Sequence, residues 1–204
     1  MKKILHLICS PRGRAAESSR LSQKIVDALV AKEPAAEVVT RILAEEPLDY
    51  VDTDYALSQH SLADISQEGT AAVSAMLVRE LESTDSVVIG TPIHNFTVPS
   101  ALKAWIDYVV RVRWTFDVSP QGKIGKLHDR PVFIAFSSGG RFSGERAHQP
   151  DFLTPYLRAV FAIIGLHDLT FFSVQGAALG PDYVEEARRT AEAAVLAHFA
   201  GPPS

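Results

Sequence analysis

The sequence predicts an α/β fold, built on a doubly wound parallel sheet of five strands with helices on both faces. Two observations lead to this prediction. Continuous apolar runs bounded by turn residues recur along the chain, and helical patterns lie between them. A strand in a parallel sheet is apolar throughout because helices cover both of its faces. The crevice of such a sheet lies beyond the carboxyl ends of its strands, where we expect a ligand to bind.

Five apolar runs are predicted to form the strands, at residues 4–9, 38–43, 86–90, 131–136 and 169–174. Five main helices are expected from apolar residues that repeat at intervals of three and four. Their patterns cover residues 21–29, 73–81, 102–110, about 150–164 and about 182–199. The acidic segment 47–66 shows neither pattern, and we expect a surface excursion with room for a short helix.

Length and composition indicate one domain over residues 1–204. With 47% hydrophobic and 22% charged residues, a chain of this length can bury a full core. The net charge of −4 and the scattered basic residues argue against nucleic acid as a partner. The apolar runs are far shorter than the roughly 20 residues of a membrane-spanning helix, so no membrane association is expected. The single cysteine, Cys9, allows no internal disulfide, and we expect a reducing, cytoplasmic location.

The loop after the first strand has the composition of an anion-binding site. Ser10, Pro11 and Arg12 follow the strand, and Ser18 and Ser19 stand at the start of the first helix. Hydroxyl groups and unpaired backbone N–H groups at a helix N-terminus favour a negatively charged ligand such as a phosphate. The alternative is that Ser18 or Ser19 only caps the helix and that the arginines are only solvated. From this loop alone, the two interpretations weigh about evenly.

Cys9 raises the possibility of a phosphatase loop of the low-molecular-weight phosphotyrosine type. Such a loop has a thiolate cysteine after the first strand and a phosphate-binding arginine, with five residues between them. Position 15 holds Ala15 in this chain, and Arg14 comes one residue too early. We therefore interpret Cys9 as a small buried hydrophobic residue at the end of a strand.

The loops after the third and fourth predicted strands also suit a ligand. Pro92 and Pro99 restrict the backbone on both sides of Asn95, and rigid peptide and amide groups suit a flat heterocycle. Gly139 and Gly140 follow the fourth strand and allow a ligand to approach the backbone closely. Each loop could instead be a plain turn or crossover. Three such loops at neighbouring strand ends favour a binding crevice.

These residues, in this order, resemble the FMN-dependent NADH azoreductases, which are flavodoxin-like relatives of the NAD(P)H:quinone oxidoreductases. The resemblance covers nearly the whole chain. Its most specific part is PIHNF at 92–96, followed by Pro99 and a Leu-Lys helix, where the family has Pro-Met-Tyr-Asn-Phe. The segment SSGG at 137–140 resembles the family's Ser-Arg-Gly-Gly. Ser10, Ser18, Ser19 and Ser22 match serines that follow the family's first strand and would hold the FMN phosphate.

The resemblance implies a flavodoxin-like fold and an FMN-dependent NAD(P)H oxidoreductase. Such an enzyme reduces quinones, azo compounds and nitroaromatics by ping-pong, two-electron hydride transfer through FMN, with NADH or NADPH as co-substrate. It also implies a homodimer with FMN at the interface. No catalytic side chain and no metal are expected, because the cofactor carries the chemistry. The implied cofactor-binding residues are Ser10, Glu17, Ser18, Ser19, Pro92, Ile93, His94, Asn95, Phe96, Ser137, Ser138, Gly139 and Gly140.

Four positions depart from the family pattern, and they concern the pocket for the electron acceptor. Ile93 replaces a methionine, His94 a tyrosine and Ser138 an arginine. Val118 stands where many members have an aromatic residue that reaches the partner's flavin site. His94 is a candidate acceptor contact, although the simpler interpretation is that it only lines the cleft.

Two alternative functions remain open from the sequence. One is a flavodoxin-like electron carrier without its own NAD(P)H turnover, and the weaker one is a phosphatase. The phosphates of a nicotinamide coenzyme could be bound by Arg12, Arg14, Arg141 or Arg146, and the sequence does not choose among these four.

Overall fold

The computed structural model describes the chain at residues 1–59, 69–144 and 147–201, and each strand of the main sheet is followed or preceded by a helix. The strands are β1 (Lys3–Ile8), β2 (Glu37–Ile42), β3 (Ser86–Pro92), β4 (Phe116–Ser119), β5 (Gly122–Gly125), β6 (Val132–Ser138) and β7 (Leu169–Gln175). The helices are α1 (Glu17–Lys32), α2 (Thr53–Ser58), α3 (Gly69–Glu82), α4 (Ser100–Val109), α5 (Leu153–Ile163) and α6 (Pro181–Phe199).

The main sheet has five parallel strands in the order β2-β1-β3-β6-β7. These strands match the five predicted apolar runs closely, so the predicted fold class is confirmed. The chain passes from β2 across β1 to β3, and the direction of winding therefore reverses between β1 and β3. Ligands of open α/β sheets bind beyond the carboxyl ends of the strands at such a reversal.

Helices cover both faces of the sheet, and this explains the uninterrupted apolar runs. On β3, Val87 and Ile89 belong to the core formed with α3, α4 and α5, whereas Val88 faces α1 and α6. Successive side chains of a strand point to opposite faces, so both sets must be apolar. In the described ranges, no helix combines the length and the hydropathy needed to cross a bilayer.

The sequence did not predict the small antiparallel hairpin of β4 and β5. Its strands show no alternation of buried and exposed side chains, and Val118 and Ile124 are 70% and 56% exposed. A strand pair without a buried face gives no apolar signal with a period of two. The hairpin is instead held by the chain around it, where the Leu127 N–H donates to the Ile164 carbonyl at 3.1 Å.

The short helix expected in the acidic segment is α2. It begins after Asp52, whose carboxylate caps it by accepting from the Tyr55 N–H at 2.8 Å. Such a cap is a normal start signal for a helix. Residues 60–66 of the same predicted excursion lie outside the described ranges.

Gly125→Ala is expected to lower the free energy of unfolding by about 1–3 kcal/mol. An added Cβ would lie 2.2 Å from the backbone nitrogen of Gly165 and 2.5 Å from its Cα, and a backbone cannot swing aside as a side chain can. Gly139→Ala is the matched control, because its Cβ would make an ordinary contact with Ala178 at 3.4 Å. Urea unfolding followed by circular dichroism measures both variants. An unchanged midpoint for Gly125→Ala would contradict the tight contact with Gly165.

Candidate functional site

A cleft runs along the carboxyl ends of β1, β3 and β6, where the strand order places a ligand site. One part of it is lined by Ser10, Pro11, Arg12, Ala16, Glu17, Pro92, Ile93, His94, Ser137, Ser138, Gly139 and Ala177. The adjoining part shares Ile93, Ser138 and Gly139 and adds Asn95, Phe96, Gly140, Phe142 and Gln149. The structure thus brings all of the predicted cofactor-binding residues to one cleft except Ser18 and Ser19, which are buried in the first turn of α1, next to Glu17.

The N-terminus of α1 closes one end of the cleft with unused hydrogen-bond donors. No side chain caps this helix, because the capping position is Ala16, so the alternative that Ser18 or Ser19 only caps it is wrong. The backbone N–H groups of Glu17, Ser18 and Ser19 have no acceptor among the described residues. The buried Ser18 hydroxyl has no partner there either. Unpaired donors at the positive end of a helix dipole bind anions, so this end fits a phosphate.

Hydrogen bonds of two serines in α1 connect this helix to the loop after β1 and to His6 of β1. The Ser19 hydroxyl donates to the Gly13 carbonyl at 2.8 Å, and the Ser22 hydroxyl donates to the Ser19 carbonyl at 3.0 Å. Because Ser22 has used its only hydrogen, His6 Nε2, at 2.8 Å, must donate to the Ser22 oxygen. The Ser22 side chain packs against Gly90, and its hydroxyl already donates one hydrogen bond and accepts another. Ser22 does not line the cleft.

The loop after β3 is a two-residue hairpin turn with Asn95 and Phe96 at its tip. His94 and Thr97 exchange both backbone hydrogen bonds, at 2.9 and 3.0 Å. Asn95 and Phe96 have φ angles of 47° and 73°, as a type I′ turn requires at both central positions. Asparagine tolerates this conformation, whereas phenylalanine adopts it at a cost that is typical of functional sites. The turn presents two backbone N–H groups that have no acceptor in the described ranges.

The loop after β6 presents two more backbone donors. The Gly139 carbonyl accepts from the Ala178 N–H at 3.2 Å, and the Gly140 carbonyl accepts from the Gly176 N–H at 3.0 Å and from the Ser138 hydroxyl at 2.8 Å. Both carbonyls are therefore occupied. The N–H groups of Gly139 and Gly140 have no acceptor within the part of the chain that is described. The two glycines thus offer donors to a ligand with negatively charged or carbonyl oxygens.

Four lining residues were missed by the sequence reasoning: Ala16, Phe142, Gln149 and Ala177. Phe142 packs edge-on against Phe96, with ring centroids 6.2 Å apart. Gln149 covers Gly140, where an added Cβ would lie 2.1 Å from the Gln149 Oε1. Phe142 and Gln149 lie in a loop without periodicity, and Ala177 follows a different strand, so only their positions after strand ends could have indicated them.

Cys9 lacks the properties of a thiolate nucleophile. Its side chain is 1% exposed and belongs to the core, and burial raises the pKa of its thiol well above the usual value. Reactive cysteines need access to solvent and a lowered pKa. The interpretation of Cys9 as a buried hydrophobic residue therefore fits the structure, and the phosphatase alternative does not.

The native protein is expected to react with a disulfide reagent for thiols only after it has been unfolded. The thiol of Cys9 is both buried and protonated at neutral pH, and attack requires an accessible thiolate. The reaction rate should be compared in buffer and in guanidinium chloride, with Cys9→Ala as the control that reacts in neither. A rapid, stoichiometric reaction of the native protein would show that the thiol is accessible.

Known proteins resemble the chain in sequence over nearly its whole length. The family model described as having a flavodoxin-like fold matches residues 2–199. FMN-dependent NADH:quinone oxidoreductase 4 of Pseudomonas fluorescens is 45% identical over 186 residues, which cover 90% of this chain and 89% of that protein. FMN-dependent NADH:quinone oxidoreductase 5 of Burkholderia lata is 40% identical over 203 residues, which cover 98% of each.

Solved structures show the same fold at lower sequence identity. An azoreductase from Bacillus anthracis has a TM-score of 0.83 at 23% identity, covering 98% of this chain and 99% of that one. An FMN-dependent NADH-azoreductase from the same species, solved in complex with FMN, has a TM-score of 0.78 at 22% identity, covering 98% of this chain and 100% of that one. The resemblance inferred from the motifs is confirmed: the chain belongs to the flavodoxin-like family that contains the FMN-dependent NADH:quinone oxidoreductases.

Proposed function

We propose that this protein is an FMN-dependent NAD(P)H oxidoreductase that reduces quinones and also azo compounds and nitroaromatics. The observation that carries the proposal is the set of unused donors along one cleft. Those of the α1 N-terminus lie at one end, and those of Asn95, Phe96, Gly139 and Gly140 lie at the other. FMN has an anionic phosphate at one end and a ring with a polar edge at the other, so the described residues fit it. The names of the family members quoted above support the same activity.

The start of α1 would hold the phosphate. Its three backbone N–H groups and the Ser18 hydroxyl, which otherwise have no partner among the described residues, would donate to the phosphate oxygens. Arg12 adds positive charge to the same part of the cleft. Glu17 also lines this part, but its carboxylate is paired with Arg188 at 3.0 Å and with Arg20 at 3.6 Å. These pairs offset a negative charge that would otherwise repel the phosphate.

The turn after β3 and the loop after β6 would hold the ring system. The turn is rigid because two hydrogen bonds between His94 and Thr97 close it. Donors held in place by the fold stabilise a developing negative charge without reorganisation, and the N–H groups of Gly139 and Gly140 are suited to this role. His94 lines the cleft and is exposed, so it remains a candidate contact for the acceptor.

When bound, FMN would supply the redox chemistry, a two-electron transfer from NADH or NADPH to the acceptor in ping-pong order. The residues of the chain bind and orient the reacting molecules and stabilise charge. This division of labour requires no nucleophile, no carboxylate pair and no metal from the protein, so we assign no catalytic side chain.

We also propose that the protein is a homodimer in which the partner completes the cleft. Phe96, Val118, Ile124 and Phe152 are 43%, 70%, 56% and 56% exposed, and exposed apolar side chains mark an interaction surface where they form a contiguous patch. Phe96 and Phe152 are also in contact, with ring centroids 6.4 Å apart. Light scattering should give about twice the chain mass of 22.2 kDa, and the chain mass at working concentration would contradict the dimer.

We further propose that residues 1–204 form a single FMN-binding domain that works in the cytoplasm. The free thiol of Cys9 supports a reducing compartment.

The proposed activity is tested by a visible absorption spectrum of the purified protein, FMN titration of the apoprotein and steady-state assays with NADH, NADPH and a quinone. Saturable binding of one FMN per chain and rapid coenzyme oxidation are expected. FMN binding without coenzyme oxidation would instead identify an electron carrier. No FMN binding would overturn the proposal.

A further inference from the structure

A second cavity lies beside the cofactor cleft, at the end of β7. Its lining includes Arg141, Ser143, Ser173, Gln175, Tyr183 and Glu186. One wall separates the two spaces, since Gly140 lines the cleft while the next residue lines the cavity. The hydrogen bond from the Gly176 N–H to the Gly140 carbonyl, at 3.0 Å, joins both sides of this wall. A molecule that binds in the cavity could therefore extend over the cleft.

The orientation of the Gln175 side-chain amide leaves the hydroxyl hydrogens of two serines in the cavity free to donate. Its Oε1 accepts from the backbone N–H groups of Phe142 at 2.6 Å and Ser143 at 3.2 Å, which fixes the orientation of the amide. Its Nε2 therefore donates, to the hydroxyls of Ser143 at 2.6 Å and Ser173 at 2.9 Å. A hydroxyl that accepts from Gln175 keeps its own hydrogen, and neither of these hydrogens has an acceptor among the described residues. Both remain available to a ligand.

Arg141 adds a positive charge, and Tyr183 adds a flat surface. The guanidinium group lies over the Tyr183 ring, 5.9 Å from its centroid. It takes part in no hydrogen bond or ion pair with the residues that the structure describes. Its planar set of N–H donors suits phosphate oxygens. The Tyr183 side chain is 46% exposed, so part of its ring is accessible to an aromatic ligand.

Glu186 contributes a carboxylate to the same cavity, and this side chain is exposed. Carboxylates in dinucleotide sites accept hydrogen bonds from the ribose hydroxyls of NAD, and they repel the 2′-phosphate of NADP. The cavity therefore combines donors for phosphate, a surface for a base and an acceptor for a ribose.

We propose that this cavity binds the adenosine diphosphate half of NADH. Arg141, Ser143 and Ser173 bind the diphosphate, Tyr183 stacks on the adenine, and Glu186 accepts from the ribose and disfavours NADPH. The nicotinamide half then extends across the Gly140 wall into the cofactor cleft. This inference rests on the proposed function, because it assumes that NADH is the co-substrate.

Binding of ADP-ribose, which lacks the nicotinamide, is the first test. Isothermal titration calorimetry on the apoprotein and on the FMN-loaded protein should show binding, and Arg141→Ala should weaken it on the order of tenfold. The kcat/KM for NADH should fall by about the same factor. The kcat at saturating NADH and the KM for a neutral quinone should not change. Arg189→Ala is the matched control, because it removes an exposed positive charge of α6 outside the cavity and should behave as wild type.

Coenzyme selectivity is the second test. Glu186→Gln should raise the ratio of kcat/KM for NADPH to that for NADH by about tenfold, because the carboxylate no longer repels the 2′-phosphate. An unchanged ratio would overturn the role of Glu186.

The outcomes separate this inference from the proposed function. If the wild type binds FMN and oxidises NADH, but Arg141→Ala retains ADP-ribose binding and NADH kinetics, the cavity inference fails and the proposed function stands. If Arg141→Ala raises only the KM of an acidic quinone, the cavity binds the acceptor and the inference is overturned. A wild type that fails to bind FMN refutes the proposed function, while the ADP-ribose titration of the apoprotein still decides the cavity.

Discussion

Arg188→Ala is expected to weaken FMN binding ten- to hundredfold, by an order-of-magnitude estimate. Glu17 is the first residue of α1 and lines the part of the cleft that we assign to the phosphate. Arg188 donates to both carboxylate oxygens of Glu17, each at 3.0 Å. The side chains of Glu17 and Arg188 are only 18% and 27% exposed. Without Arg188, the Glu17 carboxylate would face the phosphate with only its longer contact to Arg20, at 3.6 Å. At an effective dielectric constant of about 20, two like charges roughly 6 Å apart repel by about 2–3 kcal/mol.

The double variant Glu17→Gln, Arg188→Ala separates this electrostatic role from a packing role. Removing the carboxylate as well as its partner should restore most of the FMN affinity, because no uncompensated charge remains beside the phosphate. Quenching of FMN fluorescence measures the dissociation constant at low and at high salt, and screening should reduce the defect of the single variant. Arg20→Ala is a control for a weaker contact with Glu17, at 3.6 Å. A double variant as defective as Arg188→Ala would rule out charge neutralisation.

The free energy of unfolding is expected to fall by about 3 kcal/mol as the pH drops from 6.5 to 4, because of His6. Burial, and next the positive charge of Arg14, lower the pKa of His6 from 6.5 to about 4, while Asp27 opposes them. The unfolded chain binds a proton at this imidazole below about pH 6.5, whereas the folded chain stays neutral until about pH 4. Acid therefore stabilises the unfolded state through this window, and the full contribution of His6 is present above pH 6.5.

The hydrogen bonds of His6 explain why it resists protonation. Nε2 donates to Ser22, and the buried Nδ1 has no partner among the described residues, so a second proton would place a charge in the core without an acceptor. Urea unfolding at intervals between pH 4 and 7.5 measures the slope. His6→Asn should flatten it in this range, whatever its effect on stability at pH 7. Equal stability of the wild type at pH 4.5 and 7 would contradict a neutral, buried His6.

Much of the fold followed from local sequence patterns, because each sheet strand is covered on both faces. The continuous apolar run of β3 is an example, since Val88 packs toward α1 and Val87 toward α3 and α4. The hairpin of β4 and β5 escaped prediction because Val118 and Ile124 point to solvent and leave no apolar period. The type I′ turn also escaped, because Phe96 is a residue that seldom adopts a positive φ.

The sequence by itself determined the chemistry of the candidate site where that chemistry is local. The segments PIHNF and SSGG carry the donors of Asn95, Gly139 and Gly140 within a few residues of a strand end, so a short motif was enough to indicate them. Only the tertiary structure decided which distant residues meet. Glu17 pairs with Arg188, 171 positions away, because α1 and α6 pack on the same face of the sheet. The cavity at Arg141 and Tyr183 exists because the loop after β6 meets the first turn of α6, and no sequence spacing encodes such a contact.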